Sequence, residues 1–171
     1  MDKNIVIIGM PGSGKTSLGK KLSEKLNYHF IDMDHYIEES RNRTIASMFE
    51  EGEVVFREEE IKASQELADT AQTVISTGGG IITQEASMKA LKRNGLILFL
   101  DRPVKNIEKD IERDSRPLLK DGKSRLQELY EERIELYRLY ADLIVENVLD
   151  EDTVVEAMAA AINQYESRVE E

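Results

Sequence analysis

The chain has 171 residues, 40% of them hydrophobic and 33% charged, with three prolines and no cysteine. That composition predicts one folded domain burying about 70% of the surface its unfolded form exposes, and it excludes disulfide scaffolds, thiolate zinc sites and cysteine nucleophiles. A formal net charge of −11 argues against nucleic acid or an anionic membrane as partner, so an anionic ligand must be held by local cations within an unfavourable overall field.

The opening Met1-Asp2-Lys3-Asn4 is polar, and the apolar run behind it is too short for a signal peptide or a membrane span. With no cysteine to oxidise, the expected compartment is the reducing cytoplasm. Ile5 to Ile8 predict a first strand over 4–8, feeding directly into Gly9-Met10-Pro11-Gly12-Ser13-Gly14-Lys15-Thr16. This octet has the spacing G-x-x-x-x-G-K-[ST], and Leu18, Leu22 and Leu26 follow at helical spacing. Glycines let backbone N–H groups converge on phosphate oxygens at the start of a helix. Lys15 is expected at the β- and γ-phosphates and the Thr16 hydroxyl on Mg²⁺.

A second strand over 28–31 runs into Asp32-Met33-Asp34. At the carboxyl end of a parallel strand, carboxylates at i and i+2 of an extended segment face one crevice. One can hold Mg²⁺ through water while the other accepts a proton from a substrate hydroxyl. The competing reading makes Asp34 the cap of the next helix. Residues 32–70 are mostly helical and charged and stand outside the sheet scaffold. Within them Arg57 either pairs on a helix surface with Glu53 and Glu60 or meets a ligand. A third strand over 73–76 ends in Thr77-Gly78-Gly79-Gly80. Three bare glycines let a ligand touch the backbone, at an entropic cost too high for a mere turn.

The fourth strand, 95–100, stops at Asp101. This residue competes as a magnesium ligand but is assigned to capping a helix that begins at Pro103. Residues 112–124 are polar and read as a mobile lid or a plain connection. In it Arg116 precedes Pro117, which keeps it non-helical and available to a transferring phosphoryl group. Arg133 interrupts an apolar stripe of Leu129, Tyr130, Leu136 and Tyr137. It is either a clamp on a substrate anion or one half of a buried ion pair. A fifth strand over 142–145 and a helix over about 151–165 complete the α/β pattern of a mainly parallel sheet, with 166–171 as a frayed acidic tail. His29 and His35 have no partners at metal-site spacing and are expected to be structural or exposed.

In this order and at these separations, Gly9 to Thr16, Asp32-x-Asp34, Phe56-Arg57-x-x-Glu60, Thr77-Gly78-Gly79-Gly80, Arg116-Pro117-Leu118-Leu119 and Arg133-x-x-x-Tyr137 resemble the shikimate kinase family over nearly the whole chain. The resemblance implies an α/β, nucleoside-monophosphate-kinase-like P-loop fold with sheet order 2-3-1-4-5, a substrate-binding region near 32–70 and a lid near 112–124. It implies ATP on Gly12, Ser13, Gly14, Lys15, Thr16, Ser17 and Arg116, with Thr16 and Asp32 serving Mg²⁺. Shikimate would lie on Asp34, Arg57, Gly79, Gly80 and Arg133, with Lys15, Asp34 and Arg116 catalytic. The implied protein is a cytoplasmic monomer that phosphorylates the 3-hydroxyl of shikimate. Lys109 and Arg113 are the candidates for the family's basic contact with adenine. A kinase of another small hydroxy acid such as gluconate, and a nucleotide-binding module without transfer, are the rival readings.

Overall fold

The computed structural model describes residues 2–114 and 122–170, with the side chains of 111–114 and 122–124 outside that description. Five parallel strands, β1 (Asn4–Ile8), β2 (His29–Asp32), β3 (Thr73–Ser76), β4 (Gly95–Asp101) and β5 (Leu143–Glu146), form one sheet in the order β2-β3-β1-β4-β5. Ile5 faces Val74 on one side and Leu96 on the other, so β1 occupies the centre. Every residue of β1 is buried, as expected for a strand covered on both faces. Alternate side chains divide the core. Ile5 and Ile7 join Leu96, Leu98 and Leu100 on one face, while Val6 and Ile8 join Ile97 and Phe99 on the other.

The first face is covered by α1 (Lys15–Leu26) and α8 (Glu151–Val169), through Leu18, Leu22, Val154, Met158 and Ile162. The second is covered by α2 (Met33–Arg41), α3 (Ile45–Glu51), α4 (Glu53–Leu67), α5 (Glu85–Lys92), α6 (Val104–Asp114) and α7 (Gly122–Tyr140). Met33, Ile37, Met48, Phe56 and Tyr137 carry that packing. Among the described residues no helix is long and apolar enough to cross a membrane.

The first and third strands fall on the expected 4–8 and 73–76, and the other three have ends shifted by a residue, which moves Asp32 and Asp101 into the strands they were expected to follow. The C-terminal tail departs further. Helix α8 runs on to Val169, closed by the Glu170 N–H on the Glu166 carbonyl, because nothing between 166 and 169 interrupts the i→i+4 ladder. Asp101 does not cap α6. The carbonyl of Pro103 already accepts from the N–H groups of Asn106 and Ile107, leaving Asp101 two residues upstream as the end of β4. Of the expected lid, 112–114 finish α6 and 122–124 open α7, and the remainder, including Arg116, lies outside the described residues.

Candidate active site

The strands end together beneath a cleft of about 830 Å³ lined by the glycine-rich loop, Asp32, Asp34, Thr77 to Gly79 and residues that follow β4 and β5. Gly14 has φ 95° and ψ 14° and caps α1 from the left-handed region, which a side chain would disfavour. The next residue, Lys15, folds back onto the loop. Its Nζ donates to the carbonyls of Gly9 and Met10, both at 2.8 Å. Burial, with a smaller push from Arg133, lowers its pKa to about 8 against the opposing Asp34 and Asp32. An ammonium destabilised by burial in this way gains from an incoming phosphate, which favours its charged form.

Two side chains from beyond the loop hold its outer carbonyls. Arg102 donates to Gly12 O at 2.8 Å and pairs with Asp110 at 2.7 Å, while Asn147 donates to Ser13 O at 2.9 Å. Sequence reasoning missed both residues. Their place directly after the carboxyl ends of β4 and β5 is the signal that locates them. Ser17 points to α8, where its hydroxyl donates to Glu151 at 2.9 Å. Of the adenine candidates, Lys109 is exposed and Arg113 lies among the side chains outside the description.

Asp32 and Asp34 both line the cleft, for a different reason from that anticipated. They are not two positions of one strand, since α2 begins between them at Met33. Asp32 is the cap: its Oδ1 accepts from the His35 N–H at 3.1 Å, and its Oδ2 accepts from the Thr16 hydroxyl at 2.8 Å. Asp34 sits in the first turn of α2, with Oδ1 buried and without a hydrogen-bond partner among the described residues. Burial raises its pKa, helped by Asp32 and opposed by Lys15.

Arg57 makes both surface pairings foreseen for it, with Glu53 at 3.3 Å and Glu60 at 2.8 Å, yet its side chain is only 12% exposed. It lies over Gly80, where any β-carbon would collide with the guanidinium. Glu60 is fully buried, its Oε2 lacks a partner, and burial raises its pKa against the pull of Arg57 and Arg133. The carboxyl oxygens Asp34 Oδ1 and Glu60 Oε2 converge on Gly78, each 3.3 Å from where its β-carbon would lie. Arg133, half-buried on α7, has no ion pair among the described residues. Its field reaches Lys15, Glu60 and Tyr137. His35 is exposed beside Glu39, and His29 is exposed at the start of β2.

A phosphate-binding wall facing a wall of arginines and buried carboxylates, across the carboxyl ends of a parallel sheet, defines a P-loop kinase of a small anionic acceptor. The family profile of shikimate kinase matches residues 11–163. The shikimate kinase of Clostridium beijerinckii is 46% identical over 147 residues, covering 86% of this chain and 87% of that one. The shikimate kinase of Clostridium botulinum strain Alaska E43 is 43% identical over 162 residues, covering 95% and 98%. Shikimate kinase from Acinetobacter baumannii, solved in complex with shikimate, superposes with a TM-score of 0.87 at 35% identity over 96% of this chain and 95% of that one. The chain belongs to the shikimate kinase family.

Proposed function

We propose that the cleft brings ATP and shikimate together and transfers the γ-phosphoryl group to the 3-hydroxyl, giving shikimate 3-phosphate and ADP on the route to chorismate and the aromatic amino acids. The observation that carries this reading is the Asp34 oxygen, buried without a hydrogen-bond partner among the described residues, between Lys15 on the phosphate side and Arg57 with Glu60 on the other. A buried, unsatisfied carboxylate costs free energy unless a ligand hydrogen bond completes it. The reacting hydroxyl is that donor.

Gly12, Ser13, Gly14, Thr16 and Ser17 surround the nucleotide phosphates, and Lys15 leaves the loop carbonyls to neutralise them. Arg57 and Arg133 hold the acceptor carboxylate, and the backbone of Gly79 and Gly80 completes the pocket. As the hydroxyl oxygen bonds to the γ-phosphorus, the bond to the β–γ bridging oxygen breaks and the proton passes to Asp34. Lys15 stabilises the charge that develops. Arg116, from a lid formed around 112–124, is assigned to the transferring group on the resemblance of its motif. The hydroxyls of Thr16 and Ser76, 3.3 Å apart beside the Asp32 carboxylate, make an all-oxygen set that fits a hard divalent cation. Thr16 and Asp32 would hold Mg²⁺, which neutralises phosphate charge when bound. We read the protein as one domain acting as a cytoplasmic monomer on small molecules, with the net charge of −11 speaking against nucleic acid.

A coupled assay for ADP, with ATP and Mg²⁺ and a panel of hydroxy acids that includes gluconate, tests the reading. Shikimate is expected to have the highest kcat/KM by orders of magnitude. Equal or better turnover of gluconate would replace the substrate assignment, and no turnover by folded protein would support the binding-module alternative.

A further inference from the structure

Three consecutive glycines can flip their peptides at little steric cost, so a pocket built on their backbone needs something to hold it in one orientation. Two of the three carbonyls are fixed locally. Gly78 O accepts from the Ile81 N–H at 3.2 Å, and Gly80 O accepts from the Thr83 N–H at 3.1 Å and the Thr83 hydroxyl at 2.6 Å. The middle carbonyl, Gly79 O, has no such local neighbour among the described residues. It is taken by the Tyr137 hydroxyl, which reaches over from α7 and donates at 2.6 Å.

Tyr137 is suited to this task. It is fully buried, its ring stacks on Phe99 of β4 with centroids 5.0 Å apart, and burial pushes its pKa up to about 12, so it remains a donor at working pH. On the opposite side Gly79 abuts Pro11 of the phosphate loop, where a β-carbon would lie 2.7 Å from the prolyl Cδ. The Gly79–Gly80 peptide is trans. Its N–H therefore points opposite to the carbonyl that Tyr137 holds. Gly80 is buried, its N–H makes no hydrogen bond among the described residues, and the Arg57 guanidinium lies against its α-carbon on the side a β-carbon would occupy.

We propose that Tyr137 is a positioning residue for the acceptor: by holding Gly79 O it aims the Gly80 N–H into the pocket at an acceptor oxygen, beside the Arg57 guanidinium. The inference rests on Gly80 being an acceptor contact. It goes beyond that reading by naming the group that orients the contact from another element.

Protein labelled with ¹⁵N-glycine separates the two. Gly80 is buried, but its unbonded amide is expected to exchange faster than the helical Gly19 amide in the unaltered protein, then to shift and become protected when shikimate saturates the site. No response to shikimate would remove Gly80 from the acceptor site and overturn the inference with it. In Tyr137→Phe the Gly80 resonance should move or broaden before any ligand is added. The KM for shikimate should rise about fivefold to tenfold, the order of one lost neutral hydrogen bond, while kcat and the KM for ATP stay within about twofold. A lowered Tm with an unchanged KM for shikimate would make Tyr137 a purely structural contact and overturn the inference, leaving the Gly80 assignment standing on the shikimate shift. Should the variant not fold, exchange in the unaltered protein decides: a Gly80 amide already as protected as the helical Gly19 amide without shikimate contradicts an N–H left unbonded for a ligand.

Discussion

Helix α4 carries two arginine–carboxylate clusters through consecutive residues, Glu59 and Glu60, and they are built to opposite ends. On the outer side Arg41 of α2 reaches Glu59 at 2.7 Å and Glu66 at 3.0 Å, and the Tyr36 hydroxyl donates to Glu66 at 2.6 Å. Arg41 holds both carboxyl groups below their ordinary pKa. Every partner is answered from within the protein. On the inner side, among the described residues, Glu60 answers only Arg57 and its second oxygen is unpaired, and burial pushes its pKa up, as it does for Asp34. The same residue types stabilise the fold where their valences are closed and form a ligand site where they are left open. The two sides have opposite signs in acid. Glu59 and Glu66 add stability above their unfolded pKa and lose it as pH falls through the lowered folded values. Asp34 and Glu60 favour folding at low pH, and that contribution is lost as pH rises from their unfolded values through the raised folded ones.

The contrast is broken most severely at Lys15, which belongs to the open side. Lys15→Met is expected to lower turnover by about 10³-fold, as for other groups aimed at developing charge, without loss of stability in urea titration. The pH dependence sharpens this. Lys15 titrates near 8 in the folded protein against 10.5 in its ordinary state. Between those values the unfolded chain binds more protons, so stability from this residue rises with pH. Over the same interval kcat/KM for ATP should fall, because the phosphates need the ammonium. Both slopes should vanish in Lys15→Met, and a variant less stable than the parent at pH 9 would contradict the burial cost assigned to the amine. Next in size is Arg133→Ala, with a rise of about tenfold to a hundredfold in the KM for shikimate, the order of a charge-assisted hydrogen bond, and little change for ATP. Initial-rate kinetics with each substrate varied would show it, and equal effects on both constants would remove the carboxylate clamp. The smallest effect falls on the closed side. Arg41→Ala should cost about 1 kcal/mol of stability by denaturant titration, with both KM values within a few-fold. A larger effect on the KM for shikimate than on stability would show that the outer cluster also shapes the acceptor site.

The parts of this molecule visible in the sequence were those whose chemistry is local. The glycine loop, the alternation of buried strands and the sheet order implied by the family resemblance all recur in the fold. Arg133 was legible because its own helix face has no acid to pair with, and it indeed has no ion pair among the described residues. Arg57 was ambiguous, since i−4 and i+3 acids look the same on an exposed or a buried helix face; only the packing over Gly80 shows that it turns inward. Long-range contacts left no periodic trace. Tyr137 meeting Gly79, and Arg102 and Asn147 meeting the loop carbonyls, join residues separated by 58, 90 and 134 positions. The cap of α2, weighed for Asp34, falls instead on Asp32, which also ends β2, because one residue can close a strand and open a helix at once.

A crystal structure with a non-hydrolysable ATP analogue and shikimate is the most direct test of the open-valence account. It should show the Asp34 oxygen that is unpaired without ligand accepting from the 3-hydroxyl, Lys15 swung from Gly9 and Met10 onto phosphate, and the Arg57 and Arg133 guanidinium groups about 3 Å from the shikimate carboxylate. Shikimate seated elsewhere, with Lys15 still on the loop carbonyls and both arginines turned from the ligand, would contradict it.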